Sequence, residues 1–376
     1  MRSTSQGKGT KKRTTAVVLA GLLVALSLGA AAPQSAGPAG RDKPVARAAD
    51  DTTGTVLRVK VHGKSLEGNL EGDSPDRDVS VYLPPGYKSH PHRRYPVMYM
   101  LHGFTNTDLS YFGDDPIADL DAIADRTIGN GTARDMIIVT PNAMTVYGGS
   151  NYSSGATTGD WETFVSQELV SYVDRRFRTV PKAKARGLAG HSMGGYGAMR
   201  IGMKHPGVFS SLYIMSSCCI DAKSNIPSTP AAMAAFEAFQ ERPDDYTEVP
   251  QNIRTAVAAA AAWAPNPDKP PLYYDSPVRN GELQEPVIAR MTTNRPLAMV
   301  DQYVNNLRKQ HIAFDVGDQD TNIRANLTEF DRILTSYDVP HSFEVYPGNH
   351  VSGIPDRLEH NVLPFFAKHL AKASGR

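Results

Sequence analysis

The segment GLAGHSMGGYGAMR, residues 187–200, sets Gly190, Ser192 and Gly194 at alternate positions and adds Gly195 and Gly197 beyond them. Glycines on both sides of a serine allow a turn too tight for side chains to pass the neighbouring strand and helix. Such a turn holds the hydroxyl up at a helix N-terminus, where developing negative charge is favoured. A serine hydroxyl is a poor nucleophile until a base takes its proton and an acid orients that base. On a turn of this kind the partners follow in the order Ser, then Asp or Glu, then His. Both are present. FDVGDQD reads as a strand end with Asp320 just beyond its turn, and FEVYPGNH as the next strand end with His350 beyond it. Asp318 is the rival acid, while Asp315 lies within the strand. A loop position after the glycine can reach a histidine at the sheet edge, which favours Asp320. His341 opens a strand and His360 is helical, so both read as structural.

Acyl transfer also needs donors for an oxyanion. The N–H after the nucleophile belongs to Met193, and the loop LHGFTNT offers that of Phe104, with Gly103 allowing close approach. His102 reads as a buttress of that turn. Trp161 and Tyr152, in or just after a Gly-rich loop, are candidate substrate-binding residues, although Trp161 equally suits the core at a helix start. The cluster His90-Pro91-His92-Arg93-Arg94 lacks neighbouring acids or cysteines and reads as an exposed turn, not a metal site.

The elements that must position these residues alternate along the chain. GTVLRVKVHGKSL and RDVSVYLPPGY read as strands, RYPVMYMLHG as a strand buried on both faces, and RDMIIVTPNA as another. WETFVSQELVSYVDRRFRT is an amphipathic helix with Asp160 placed to cap it. KARGLAG is the strand before Ser192 and GGYGAMRIGMKHP the helix after it. VFSSLYIMSS, IAFDVG and HSFEVYPG are further strands, separated by helical segments. Alternation of this kind predicts a mostly parallel sheet covered on both faces. Residues 221–300 break the rhythm with an Ala-rich helix around TAVAAAAAWA and Pro-rich flanks, an insertion in one domain spanning 53–376. This insertion carries Trp263, Tyr273, Tyr274 and Met291, and serves either as a cap over the site or as a surface elaboration with its own small core.

Lys plus Arg number 40 and Asp plus Glu 39, so no strong field favours nucleic acid. At the N-terminus Lys11, Lys12 and Arg13 precede the apolar run AVVLAGLLVALSLGAAA and a stretch rich in Ala, Pro and Gly. That is the pattern of a secretory signal, and the run is shorter than the roughly 20 residues of a membrane span. Residues 1–48 are therefore expected to be a signal and lead, with no stable membrane anchor after cleavage and a secreted product. Lys12-Arg13 is not a twin arginine, which points to general secretion. The only cysteines are the neighbours Cys218 and Cys219, for which a vicinal disulfide is open to an exported protein and two small buried side chains at a strand end are the plainer reading.

YLPPGY, YPVMYMLHGF, ELVSYVDRRFRT, GHSMGGYGAM, GDQD and YPGNH occur in that order over residues 55–370. In these the chain resembles the esterase D type of serine hydrolase, the group of S-formylglutathione hydrolases, feruloyl and enterochelin esterases and mycolyltransferases. The resemblance implies an α/β-hydrolase fold, no metal or organic cofactor, and Ser192, Asp320 and His350 as the triad, since the family's acid closes a Gly-x-x-Asp tetrad. Residues 221–300 are longer than in compact members of that group and leave the substrate open. The expectation is a secreted ester hydrolase working through an acyl-serine on a small or polymer-linked ester. An acyltransferase on the same scaffold and a catalytically silent binding module are the rival readings.

Overall fold

The computed structural model describes residues 52–114, 116–242, 246 and 249–374. The expected signal segment, residues 1–48, lies outside them. Eight strands form the main sheet: β1 (Thr55–His62), β2 (Asp76–Leu83), β3 (Val97–Leu101), β4 (Ile137–Pro141), β5 (Arg186–His191), β6 (Ser211–Met215), β7 (His311–Gly317) and β8 (Ser342–Tyr346). Their order is β1-β2-β4-β3-β5-β6-β7-β8. β2 runs antiparallel to both β1 and β4, and all later neighbours are parallel. β5, β7 and β8 therefore end at one edge of the sheet, and the residues after them meet there.

The continuous apolar runs become the strands buried on both faces. Every residue of β3, β4 and β6 is buried, whereas β8, at the sheet edge, leaves Ser342, Glu344 and Val345 exposed. The helix after Ser192, α3 (Met193–Lys204), is buried at every position but its last. A Cβ on Gly197 would come 2.6 Å from the Tyr152 ring, and one on Gly202 would come 2.5 Å from Leu212. Glycine is what lets this helix lie so close to its neighbours.

The helix before β5, α2, runs through Trp161–Thr163, a π-helical stretch Phe164–Leu169, and Val170–Arg176. Asp160 caps it, accepting the Thr163 N–H at 3.0 Å. Glu162 ties α2 to α3 through Arg200 (3.2 Å), Lys204 and His205 (3.0 Å). Burial raises its carboxyl pKa, but hydrogen bonds from His205 and Lys204 and the charge of Arg200 win and hold it down at about 2.

Residues 221–300 contain more helix than their sequence suggests. Besides the Ala-rich α5 (Gln251–Trp263) there are α4 (Pro230–Glu241) and α6 (Glu285–Thr292). Phe236, Phe239, Ile253, Val257 and Tyr274 form a local apolar core that also takes in Tyr147 and the half-buried Phe104. The inserted helices are thus packed onto the loops after β3 and β4.

Candidate active site

Ser192 stands between β5 and α3 with φ +57° and ψ −116°, a conformation that a non-glycine residue holds only when its surroundings enforce it. They do so through backbone contacts. The Ser192 N–H donates to the Met215 carbonyl (3.0 Å), while its own carbonyl accepts from Tyr196 (3.0 Å) and Cys218 (3.3 Å). A Cβ on Gly190 would sit 2.1 Å from the Gly194 carbonyl oxygen, and one on Gly194 would sit 2.0 Å from that of Leu101. No side chain fits at either place.

The loops after β7 and β8 bring an imidazole to this serine. His350 Nε2 is 2.9 Å from Ser192 Oγ, and its Nδ1 is 2.6 Å from Asp320 Oδ2. Asp318 has a different partner: its Oδ1 accepts the Gly348 N–H at 3.0 Å and braces the turn before His350. Asp315 is buried in β7, where it accepts from Tyr213 Oη and Arg357 Nε, each at 2.8 Å. Of the three aspartates, only Asp320 meets the histidine. His341 is held by Asp331 and stacked on Phe314, and His360 pairs with Asp356 on the surface.

Neither the Met193 nor the Phe104 N–H has an acceptor among the described residues. The turn carrying Phe104 lies against the serine, since a Cβ on Gly103 would come 3.5 Å from Ser192 Cβ. Buried His102 fixes this turn. Its Nε2 accepts the Ala143 N–H (2.8 Å), so Nδ1 carries the proton and donates to the Gly103 carbonyl (2.8 Å). An imidazole beside a hydroxyl, a carboxylate behind the imidazole and two unengaged amides nearby can together support acyl transfer to serine.

Trp161 and Tyr152 do not fit their expected place in the pocket lining. Both are fully buried. Trp161 donates its indole N–H to the Thr158 carbonyl (2.7 Å) and stacks edge-on against Phe164. Positive φ at Asn151 and Tyr152 turns the tyrosine inward, where its hydroxyl donates to the His102 carbonyl (3.1 Å). The two cysteines also depart from the plainer sequence reading, because Cys218 and Cys219 are disulfide-bonded directly after β6. Sequence reasoning assigned nothing to His191, yet its Nε2 lies 2.7 Å from the His350 carbonyl. The available signal was its position between Gly190 and Ser192, which brings a strand-end side chain beside the nucleophile.

His102 and His191 are buried and neutral, and burial pushes each down to about 4, helped at His191 by the charge of His350. An unfolded imidazole titrates near 6.5. Between those values the unfolded chain binds protons that the folded chain refuses. Their contribution to stability is therefore complete above about pH 6.5 and is lost as the pH falls toward 4. Asp315, held up at about 6 by burial, works in the opposite sense over much of the same interval. Glu71, which burial holds well above the usual carboxylate range, and Asp121 act in the same sense as Asp315, so the two histidines are read out directly and not through overall stability. Imidazole ¹⁵N shifts of His102 and His191 are expected to stay those of neutral rings from about pH 8 to 5, and titration of either ring near 6.5 would refute the neutral buried pair.

The family model described as "Putative esterase" matches residues 74–353. The chain belongs to that family. Its eight-stranded, mostly parallel sheet is the α/β-hydrolase fold. An esterase of Mycobacterium tuberculosis is 28% identical over 285 residues, covering 73% of this chain and 52% of the relative. The chain thus spans about half the length of the curated relatives it matches. Among solved structures, a ferulic acid esterase superposes with TM-score 0.60 at 22% identity, covering 85% of this chain and 99% of that one. The S-formylglutathione hydrolase of Staphylococcus aureus superposes with TM-score 0.55 at 18% identity, covering 84% and 99%. Among the described residues, no helix is long and apolar enough to cross a membrane.

Proposed function

We propose that this esterase cleaves its substrate through an acyl-serine intermediate. His350 takes the Ser192 proton as Oγ attacks the ester carbonyl carbon, Asp320 holds the resulting imidazolium, and the Met193 and Phe104 amides hold the oxyanion. Collapse of the tetrahedral adduct breaks the bond to the alcohol, which leaves with the proton from His350. Water, activated by the same imidazole, then releases the acid and restores the serine. The observation that carries this reading is one imidazole lying 2.9 Å from Ser192 Oγ and 2.6 Å from Asp320 Oδ2. The chemistry needs no metal or organic cofactor.

We place the reaction outside the cell, on small or polymer-linked esters, because residues 1–48 have the pattern of a secretory signal. Names among the neighbours suggest where to begin with substrates: one is a ferulic acid esterase, and another is a feruloyl esterase module complexed with sinapinate. The test is turnover of p-nitrophenyl esters from acetate to palmitate and of methyl ferulate, together with fluorophosphonate labelling and peptide mapping. Turnover with the label on Ser192 is the expected result. A label on another residue, or turnover untouched by complete labelling of Ser192, would sink the acyl-serine reading. Ester product formed when an alcohol competes with water would instead make the enzyme an acyltransferase.

A further inference from the structure

His191 takes no part in the bond-making and bond-breaking steps at Ser192. It ends β5, is 3% exposed, and its Nε2 lies 2.7 Å from the His350 carbonyl oxygen. A carbonyl only accepts, so Nε2 carries the proton and donates it. The two imidazole rings are 4.8 Å apart, centroid to centroid. The other nitrogen, Nδ1, is buried and has no hydrogen-bond partner among the described residues. It lies beside the oxyanion turn, where a Cβ on Gly103 would come 3.6 Å from it. One side chain therefore touches both the backbone of the base and the turn that carries Phe104.

We propose that His191 is a positioning residue for the general base: its Nε2–H ties down the His350 carbonyl and so fixes the imidazole of His350 against Ser192 Oγ. The inference rests on the reading of His350 as that base. The turn before His350 is braced on its other side by Asp318 and by the Gln319 N–H, which donates to the Gly348 carbonyl at 2.9 Å. At His350 itself, His191 is the donor that the described residues offer to the carbonyl. Neutrality of His191 belongs to the same role, because a second charge beside His350 would oppose the imidazolium that forms there during attack. The titratable groups that face His191 are His350 and Asp320. β6 and the oxyanion turn bring Met215 and Gly103 to it, and neither titrates.

The experiment compares His191→Leu, His191→Gln and His350→Ala on p-nitrophenyl acetate, with near-UV circular dichroism of each. Leucine removes the donor and is expected to lower kcat about 100-fold, the cost of a base misplaced by about an ångström, with KM moving less than about threefold. Glutamine places an N–H near the Nε2 position and is expected to stay within about tenfold of the wild type. A folded leucine variant with near-normal kcat, or a folded glutamine variant as poor as leucine, would overturn the proposal. If leucine prevents folding, ¹⁵N spectra of the wild-type imidazoles decide. A neutral Nε2–H tautomer that does not titrate between about pH 8 and 5 supports the role. The Nδ1–H tautomer, or titration near 6.5, rejects it. His350→Ala separates the two readings: high residual activity there would remove His350 as the base, whereas its loss beside an active His191→Leu would remove only the role of His191.

Discussion

Ser192→Ala is expected to lower kcat/KM for ester hydrolysis by about 10⁴- to 10⁶-fold with almost no change in Tm. The serine is 9% exposed, and its backbone geometry is held by Met215, Tyr196 and Cys218, contacts that alanine keeps. The residual rate would be that of the site without a nucleophile. Two aspartates sharpen this prediction. Asp320→Asn is expected to cost about 10³- to 10⁴-fold, because the amide can no longer hold His350 in the required tautomer or stabilise its charge. Asp318→Asn retains an oxygen for the Gly348 N–H and is expected to cost less than about tenfold. Side-by-side rates decide the assignment. Equal losses, or a larger loss at Asp318, would refute the role given to Asp320.

The second large effect concerns stability. A Cβ on Gly194 would lie 2.0 Å from the Leu101 carbonyl oxygen and 2.9 Å from that of His102, so backbone meets backbone and no rotamer can relieve the clash. Gly194→Ala is expected to destabilise the enzyme by more than about 4 kcal/mol or to prevent folding. Gly129, the last residue of helix α1 (Leu120–Gly129), is the control, since nothing lies within 4 Å of a Cβ built there. Gly129→Ala is expected to be neutral or stabilising by up to about 1 kcal/mol, through a restricted unfolded chain and better helix propensity. Urea unfolding of both variants measures the difference. A Gly194→Ala variant as stable as Gly129→Ala would show that the turn relaxes easily.

The sheet and the nucleophile turn were legible because their signals are local. Continuous apolar runs of strand length bounded by turn residues fit strands covered on both faces, and the Gly190-to-Gly194 spacing between a strand and a helix fits a turn with no room for a Cβ. Choosing between Asp318 and Asp320 was harder, since two residues of one short loop differ only in the direction their side chains leave it. The structure turns Asp318 to the Gly348 amide and Asp320 to the imidazole. Tyr152 misled because a tyrosine in or beside a Gly-rich loop reads as a pocket residue, whereas left-handed backbone at Asn151 and Tyr152 drives it into the core. The contact between His191 and His350 joins residues 159 positions apart, a pairing that no pattern within either segment encodes. The helices at Pro230–Glu241 and Glu285–Thr292 were missed because their apolar residues find partners far along the chain, the first with Tyr147 and Phe104, the second with Tyr196 and Cys219.

Phe104 belongs to two structures at once: its amide lies in the turn beside Ser192, while its ring is packed into the core of the inserted helices. That core is small, and small cooperative units open at a lower free energy than the molecule as a whole. An opening confined to α4 and α5 would uncover one side of the Phe104 ring, whose other contacts are with the central core, while the central sheet stayed folded. The enzyme would then lose rate before it lost secondary structure, and amide exchange in the insertion would report the fraction of time spent inactive. Anything that grips those helices, including a substrate lying across them, would tighten the site by making that opening rarer.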